Sequence, residues 1–167
     1  MTHPRSAVAM LASLALTMVA PDPAHAQTFV RAITGSGAET IGFAQGVAVD
    51  PANGNVVVAD TGNSRVLVFT ATGAHVLTIS GSGMLQPTGV AVDPSTGNIA
   101  VSDSVASLVL VFTSAGTFVT SMPAAQAYAV AIDAANGGNI VVTEVFNNLA
   151  RVYTPAGVLV RTIQGSG

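Results

Sequence analysis

The 167-residue chain has no cysteine and no tryptophan, and charged residues make up only 8% of it. Without cysteine there is no disulfide framework, no lipoprotein anchor and no thiolate metal site. Lysine is absent as well. Beyond residue 26 the only cations are Arg31, Arg65, Arg151 and Arg161, set against Glu39, Asp50, Asp60, Asp93, Asp103, Asp133 and Glu144. Nucleic-acid affinity rests largely on a basic stripe that displaces counterions from phosphates, so this balance excludes a nucleic acid as partner. Histidine is nearly absent too, His75 being the only one after residue 26. A single imidazole cannot supply the three or four converging ligands that zinc needs.

Long hydrophobic runs are also missing. The longest, Ala7–Ala20, follows Arg5 and precedes the small-x-small triplet Ala24-His25-Ala26. That order is the pattern of a secretory signal peptide over residues 1–26, cleaved after Ala26, and predicts a secreted or periplasmic protein. The run is too short to span a bilayer comfortably, so no membrane span is expected. Although half of the residues are hydrophobic, those after residue 26 come in runs of four to six broken by Gly, Asn, Asp and Thr. Such runs suit strands covered on both faces.

What the chain does have is repetition. "GVAVDPANGNVVVADTGNSRVLVF" (46–69) returns as "GVAVDPSTGNIAVSDSVASLVLVF" (89–112) and again as "AVAIDAANGGNIVVTEVFNNLARVY" (129–153). Asp50, Asp93 and Asp133, and likewise Phe69, Phe112 and Tyr153, recur with a period of about 42 residues. Each copy divides into four short β-branched segments joined by tight turns, an antiparallel meander. In the Asp-Pro-x-x-Gly-Asn turn, Asp accepts backbone hydrogen bonds two residues on, Pro presets φ and Gly takes positive φ. Asp50, Asp93 and Asp133 are therefore expected to cap turns. The third copy has Ala134 in place of Pro and an added glycine, which predicts a looser hairpin there.

Four strands per repeat of this length predict β-propeller blades, which bury both faces by stacking. A β-sandwich would show stronger alternation and no fixed period. The expected fold is all-β, with blades at about 42–83, 85–121 and 126–164 within the segment 27–167. One extra outer strand is expected at 28–34, because "TFVRAITGSG" matches "VLVRTIQGSG" at the end of the third copy.

The run "GFAQGVAVDPANGNVVVADTGNSRVLVFTATGAHV" (42–76) closely resembles an NHL repeat, and the likeness extends over nearly all of 42–167. The resemblance implies a six-bladed, TolB-like propeller or a relative of one. It also marks Asp60, Asn63 and Arg65 as the family's polar turn between second and third strands, a structural tie or a binding position. Equivalent positions hold Asp103, Ala106 and Leu108 in the second copy and Glu144, Asn147 and Leu149 in the third, so Asn147 and its neighbour Asn148 are further candidates. Loss of the arginine predicts softer turns in the second and third blades.

Related propellers include lyases, lactonases and esterases with a channel metal, but this chain has no matching ligand set, no nucleophile elbow and no phosphate loop. No catalytic residue, metal ligand or cofactor is assigned. The three aspartates could offer oxygens to calcium, yet turn capping accounts for each of them. The expected function is a secreted, non-catalytic binding scaffold for a protein, glycan or small ligand. The alternative is part of a propeller lyase or hydrolase whose catalytic residues lie in other blades. Closure takes four to eight blades, so three leave apolar faces open. This predicts part of a longer propeller, with a homodimer through the open blade faces or an open array as rival arrangements.

Overall fold

A computed structural model of the chain describes residues 31–165. The expected signal peptide and residues 28–30 of the expected extra strand lie outside them. Among the described residues, 32–165 belong to one compact unit. It contains β1 (Ala44–Val49), β2 (Val56–Asp60), β3 (Arg65–Phe69), β4 (His75–Ser80), β5 (Pro87–Val92), β6 (Ile99–Asp103), β7 (Leu108–Phe112), β8 (Phe118–Pro123), β9 (Ala127–Asp133), β10 (Asn139–Glu144), β11 (Leu149–Tyr153) and β12 (Leu159–Gln164). These make three four-stranded antiparallel sheets in strict sequence order, β1–β4, β5–β8 and β9–β12. They are propeller blades, and the three sheets do not close into a ring.

Register repeats from blade to blade. Ala59 opposes Val66, Ser102 opposes Val109 and Thr143 opposes Ala150. One face of the first blade therefore carries Val57, Ala59, Val66, Val68 and Ile79, which pack on Val90, Ile99, Val101, Leu110 and Phe112 of the second. The second blade's other face, with Ala100, Val109, Val111 and Met122, packs on Ile140, Val142 and Tyr153 of the third. This two-sided burial explains why the strands need no alternation. The inner strands β1, β5 and β9 lie side by side. A Cβ on Gly46 would stand 2.7 Å from the Thr88 carbonyl oxygen, and one on Gly89 would stand 2.8 Å from that of Tyr128. Glycine at both positions is what lets neighbouring inner strands approach.

The described part of the expected extra strand, residues 31–34, lies outside any strand. Strand structure requires a ladder partner, and none of the sheets supplies one. The segment instead covers part of the first blade's outward face, where Ile33 and Ile41 pack on Val58, Leu67 and Phe69. In the third blade the link between β9 and β10 is a 3-10 turn, Ala134–Asn136, closed by two left-handed glycines, Gly137 and Gly138.

Candidate functional site

The second-to-third-strand turns and the linkers that enter each blade lie at one end of the sheets. In the first blade the turn is Thr61–Ser64, and Ser64 adopts left-handed φ of 53°. Ser107 and Asn148 repeat that conformation at φ of 56° and 52°. Beneath each turn sits a buried carboxylate: Asp60, Asp103 or Glu144.

The three carboxylates perform one task with different partners. Asp60 accepts from the Gly42 N–H at 2.6 Å, from Asn63 Nδ2 at 2.9 Å and from Arg65 Nε at 2.7 Å. Arg65 also donates to the carbonyls of Ala38 at 2.6 Å and Thr40 at 3.0 Å, and Asn63 donates to Thr40 at 3.2 Å. The trio thus clamps the linker 38–42 against the first blade. Asp103 lacks an arginine and accepts four backbone N–H groups instead, from Leu85, Gln86, Val105 and Ala106 at 2.7 to 3.1 Å.

In the third blade Asn147 Nδ2 donates to Glu144 at 2.6 Å. Arg151 Nε approaches the other Glu144 oxygen to 3.0 Å as an ion pair without hydrogen-bond alignment. Arg151 and the Tyr153 hydroxyl both donate to the Pro123 carbonyl at the end of β8, where the chain leaves the second blade. The hydrogen bond to the Tyr153 hydroxyl raises the pKa of Arg151 above its ordinary value, burial opposes this, and the Glu144 charge adds to the rise.

Although leucine stands at the equivalent of Arg65 in these two turns, each buried acid keeps partners. Backbone amides replace the arginine in the second blade. In the third, a carboxylate longer by one methylene meets an arginine placed two residues further along β11.

Asp50 and Asp93 are seated as turn caps. Asp50 accepts from the Ala52 N–H at 2.9 Å and from Asn53 Nδ2 at 2.7 Å. Asp93 accepts from the Ser95 N–H and hydroxyl at 2.9 and 2.8 Å and from the Thr96 hydroxyl at 2.9 Å. Burial pushes the Asp93 carboxyl up, but these hydrogen bonds outweigh it and hold the group below its ordinary value. Asp133 is held differently, by Asn136 Nδ2 at 2.6 Å. The three lie in separate turns, and among the described residues no group of three or more His, Asp or Glu could hold a metal ion. His75 donates to or accepts from Thr78 at 2.9 Å and meets Phe69 edge-on. No helix among the described residues is long and apolar enough to cross a membrane.

At the same end as the buried carboxylates lies a hollow of about 280 Å³ lined by Ser104, Val105, Gln126, Tyr128, Val145 and Phe146. Four of the six are large apolar or aromatic residues that stand exposed, Phe146 to 75%, and none is charged. The floor is rigid, because the Tyr128 carbonyl accepts from Thr88 Oγ1 at 2.8 Å and Ser102 Oγ at 2.7 Å. Sequence reasoning did not single out these residues. The available signal was Val145-Phe146 and Val105 in turns where the first copy has Thr61-Gly62.

The NHL repeat family profile matches residues 42–69 and 84–112. No curated protein matches the sequence. Solved structures that resemble the chain include Kuenenia stuttgartiensis hydrazine synthase, with a TM-score of 0.67, 17% identity and coverage of 81% of this chain and 40% of that one. Virginiamycin B lyase from Staphylococcus aureus gives 0.63 at 13% identity, covering 74% and 42%. A chain of a nidogen/laminin complex gives 0.64 at 16% identity, covering 73% and 47%. The chain thus spans less than half the length of each, and at these identities the likeness is one of fold. Residues 42–69 and 84–112 are NHL repeats, and the chain that carries them is built of β-propeller blades.

Proposed function

We propose that the chain is an exported, non-catalytic binding scaffold that holds an apolar side chain of a protein partner in the hollow between the second and third blades. The observation that carries this reading is the exposure of Val105, Tyr128, Val145 and Phe146 together around one hollow. Exposed apolar clusters on rigid scaffolds mark interaction sites. A volume of about 280 Å³ is below that of typical drug-sized pockets and suits one aromatic or branched aliphatic anchor. The uncharged lining disfavours ionic ligands, since a charge placed there would lose water without gaining a partner. The fixed Tyr128 backbone lowers the ordering cost of binding. A role in a propeller lyase or hydrolase draws only on likeness of fold, and among the described residues no group of His, Asp or Glu favours it.

The test is selection of displayed peptides against the purified chain, followed by affinity measurement on Phe146→Ser and Tyr128→Ala. Peptides with a single aromatic or aliphatic anchor should be enriched, and each variant should weaken them by more than about tenfold, as expected of a buried aromatic hot spot. Peptides without such an anchor, or equal binding to both variants, would overturn the reading.

A further inference from the structure

Each first-to-third blade turn between the third and fourth strands carries a glycine at positive φ, namely Gly73, Gly116 and Gly157. These glycines are seats for the blade before. A Cβ on Gly116 would stand 3.2 Å from Leu77 and 3.3 Å from Ile79 of the first blade's outer strand. One on Gly157 would stand 3.5 Å from Thr120 and 3.8 Å from Met122 of the second blade's outer strand. No blade precedes Gly73 among the described residues, yet its seat is taken, with Ile33 Cγ1 3.5 Å from the Cβ position.

The third blade presents the matching peg without a seat. Ile163 opposes Ala150 as Ile79 opposes Val66 and Met122 opposes Val109, but it is 48% exposed where Ile79 and Met122 are buried. The chain also writes the peg twice, since "VRAITGSG" at 30–37 repeats "VRTIQGSG" at 160–167 in six of eight positions. The seat on the first blade is incompletely covered by its own segment. Val47 and Val49 remain 67% and 59% exposed, whereas Val90, equivalent to Val47, is 7% exposed beneath the first blade.

We propose that the first blade's outward face is a docking site for the third blade of a second copy, with Ile163 entering the Gly73 seat and the chain's own Ile33 acting as its internal competitor. The contact joins unlike faces, so it must either close or extend. Two copies joined twice give six blades, within the range that closes. The linker clamp need not open. Ile41 and Gly42 of the first blade correspond to Met84 and Leu85 of the second, which stay bound to Asp103 and the core with a blade docked above them. Only the segment before that linker has to leave.

One feature limits the closeness of the contact. Ala129 stands where Gly46 and Gly89 permit inner strands to touch, so its Cβ holds the inner strands of the two copies apart. Association is accordingly driven by the outer strands and is weaker than the two junctions inside the chain.

Sedimentation analysis of the purified chain tests this. The expected results are a concentration-dependent dimer, at least tenfold tighter self-association for Ile33→Ser and for Ala129→Gly, and loss of the dimer for Ile163→Asp. A synthetic peptide of sequence VRAITGSG added in trans should dissociate the dimer, which provides a reading even if Ile33→Ser fails to fold. Ile163 is already half exposed, so its aspartate variant disturbs no core. A monomer in every variant, association that survives Ile163→Asp or ignores the peptide, or an open-ended polymer would each overturn the proposal.

Discussion

Replacing Arg65 with leucine, the residue at the equivalent position of the other two blades, tests whether the clamp stabilises the first blade. Arg65 Nε lies 2.7 Å from Asp60 Oδ2, and the two side chains are 16% and 0% exposed. The charge-assisted hydrogen bond contributes about 1.5–3 kcal/mol. The two bonds to the Ala38 and Thr40 carbonyls reach exposed linker and add at most about 1 kcal/mol between them. Unlike Asp103, Asp60 has one backbone donor in the hydrogen bonds described, Gly42, so no set of amides stands ready to replace the guanidinium.

A net loss of about 2–4 kcal/mol follows, lowering the melting temperature by about 10 °C for a domain of this size. Urea titration followed by circular dichroism measures it, with Asp60→Asn and the double variant completing a cycle. If the buried charge is the cause, removing it relieves part of the damage, and the cycle should show coupling of at least about 1 kcal/mol. A loss for Arg65→Leu below about 0.5 kcal/mol, or strictly additive variants, would refute the reasoning.

Two further outcomes follow from the other carboxylates. Glu144→Asp withdraws the carboxylate by one methylene from Arg151, now 3.0 Å away, and should cost about 1–3 kcal/mol in thermal melts; an unchanged melt would show that the register of Arg151 does not matter. Asp93 has its folded pKa depressed, so the stability it contributes is fully present above the ordinary carboxylate range near pH 4 and is lost as pH falls through the folded value. The gap in urea midpoint between the chain and Asp93→Asn should therefore be larger at about pH 6 than at about pH 3, and a constant gap would contradict the assignment.

Much of this was legible in the sequence because each repeat states its own strand limits. The Asp-x-x-x-Gly turns, the β-branched runs and the period place all twelve strands, since no long-range information is needed to pair neighbours in a meander. The resemblance to an NHL repeat marked Asp60, Asn63 and Arg65 as a tie or a binding position, and in the structure the Asp60 carboxylate joins all three. The third blade's version was not legible, because alignment by period sets Leu149 against Arg65, while the working arginine, Arg151, occupies the position of Leu67. Only the paired change of Asp to the longer Glu makes that offset geometrically sensible. The hollow around Phe146 was hidden for a different reason. Its walls come from two blades and a linker, and apolar turn residues read as noise in a pattern whose signal lies in the strands.

The unequal covering of the three sheets also fixes where the molecule opens first. The second blade is sandwiched on both sides, and Val101, Val109, Leu110 and Met122 are completely shielded from solvent. The first has one full neighbour and a partial lid, and every residue of the third blade's edge strand faces water. Because each sheet pairs only with itself, a terminal sheet can detach without breaking a ladder in the next. Amide protons in β6 and β7 should thus be the last to exchange, and unravelling proceeds inward from Leu159–Gln164 as a sequence of separable events instead of one collapse.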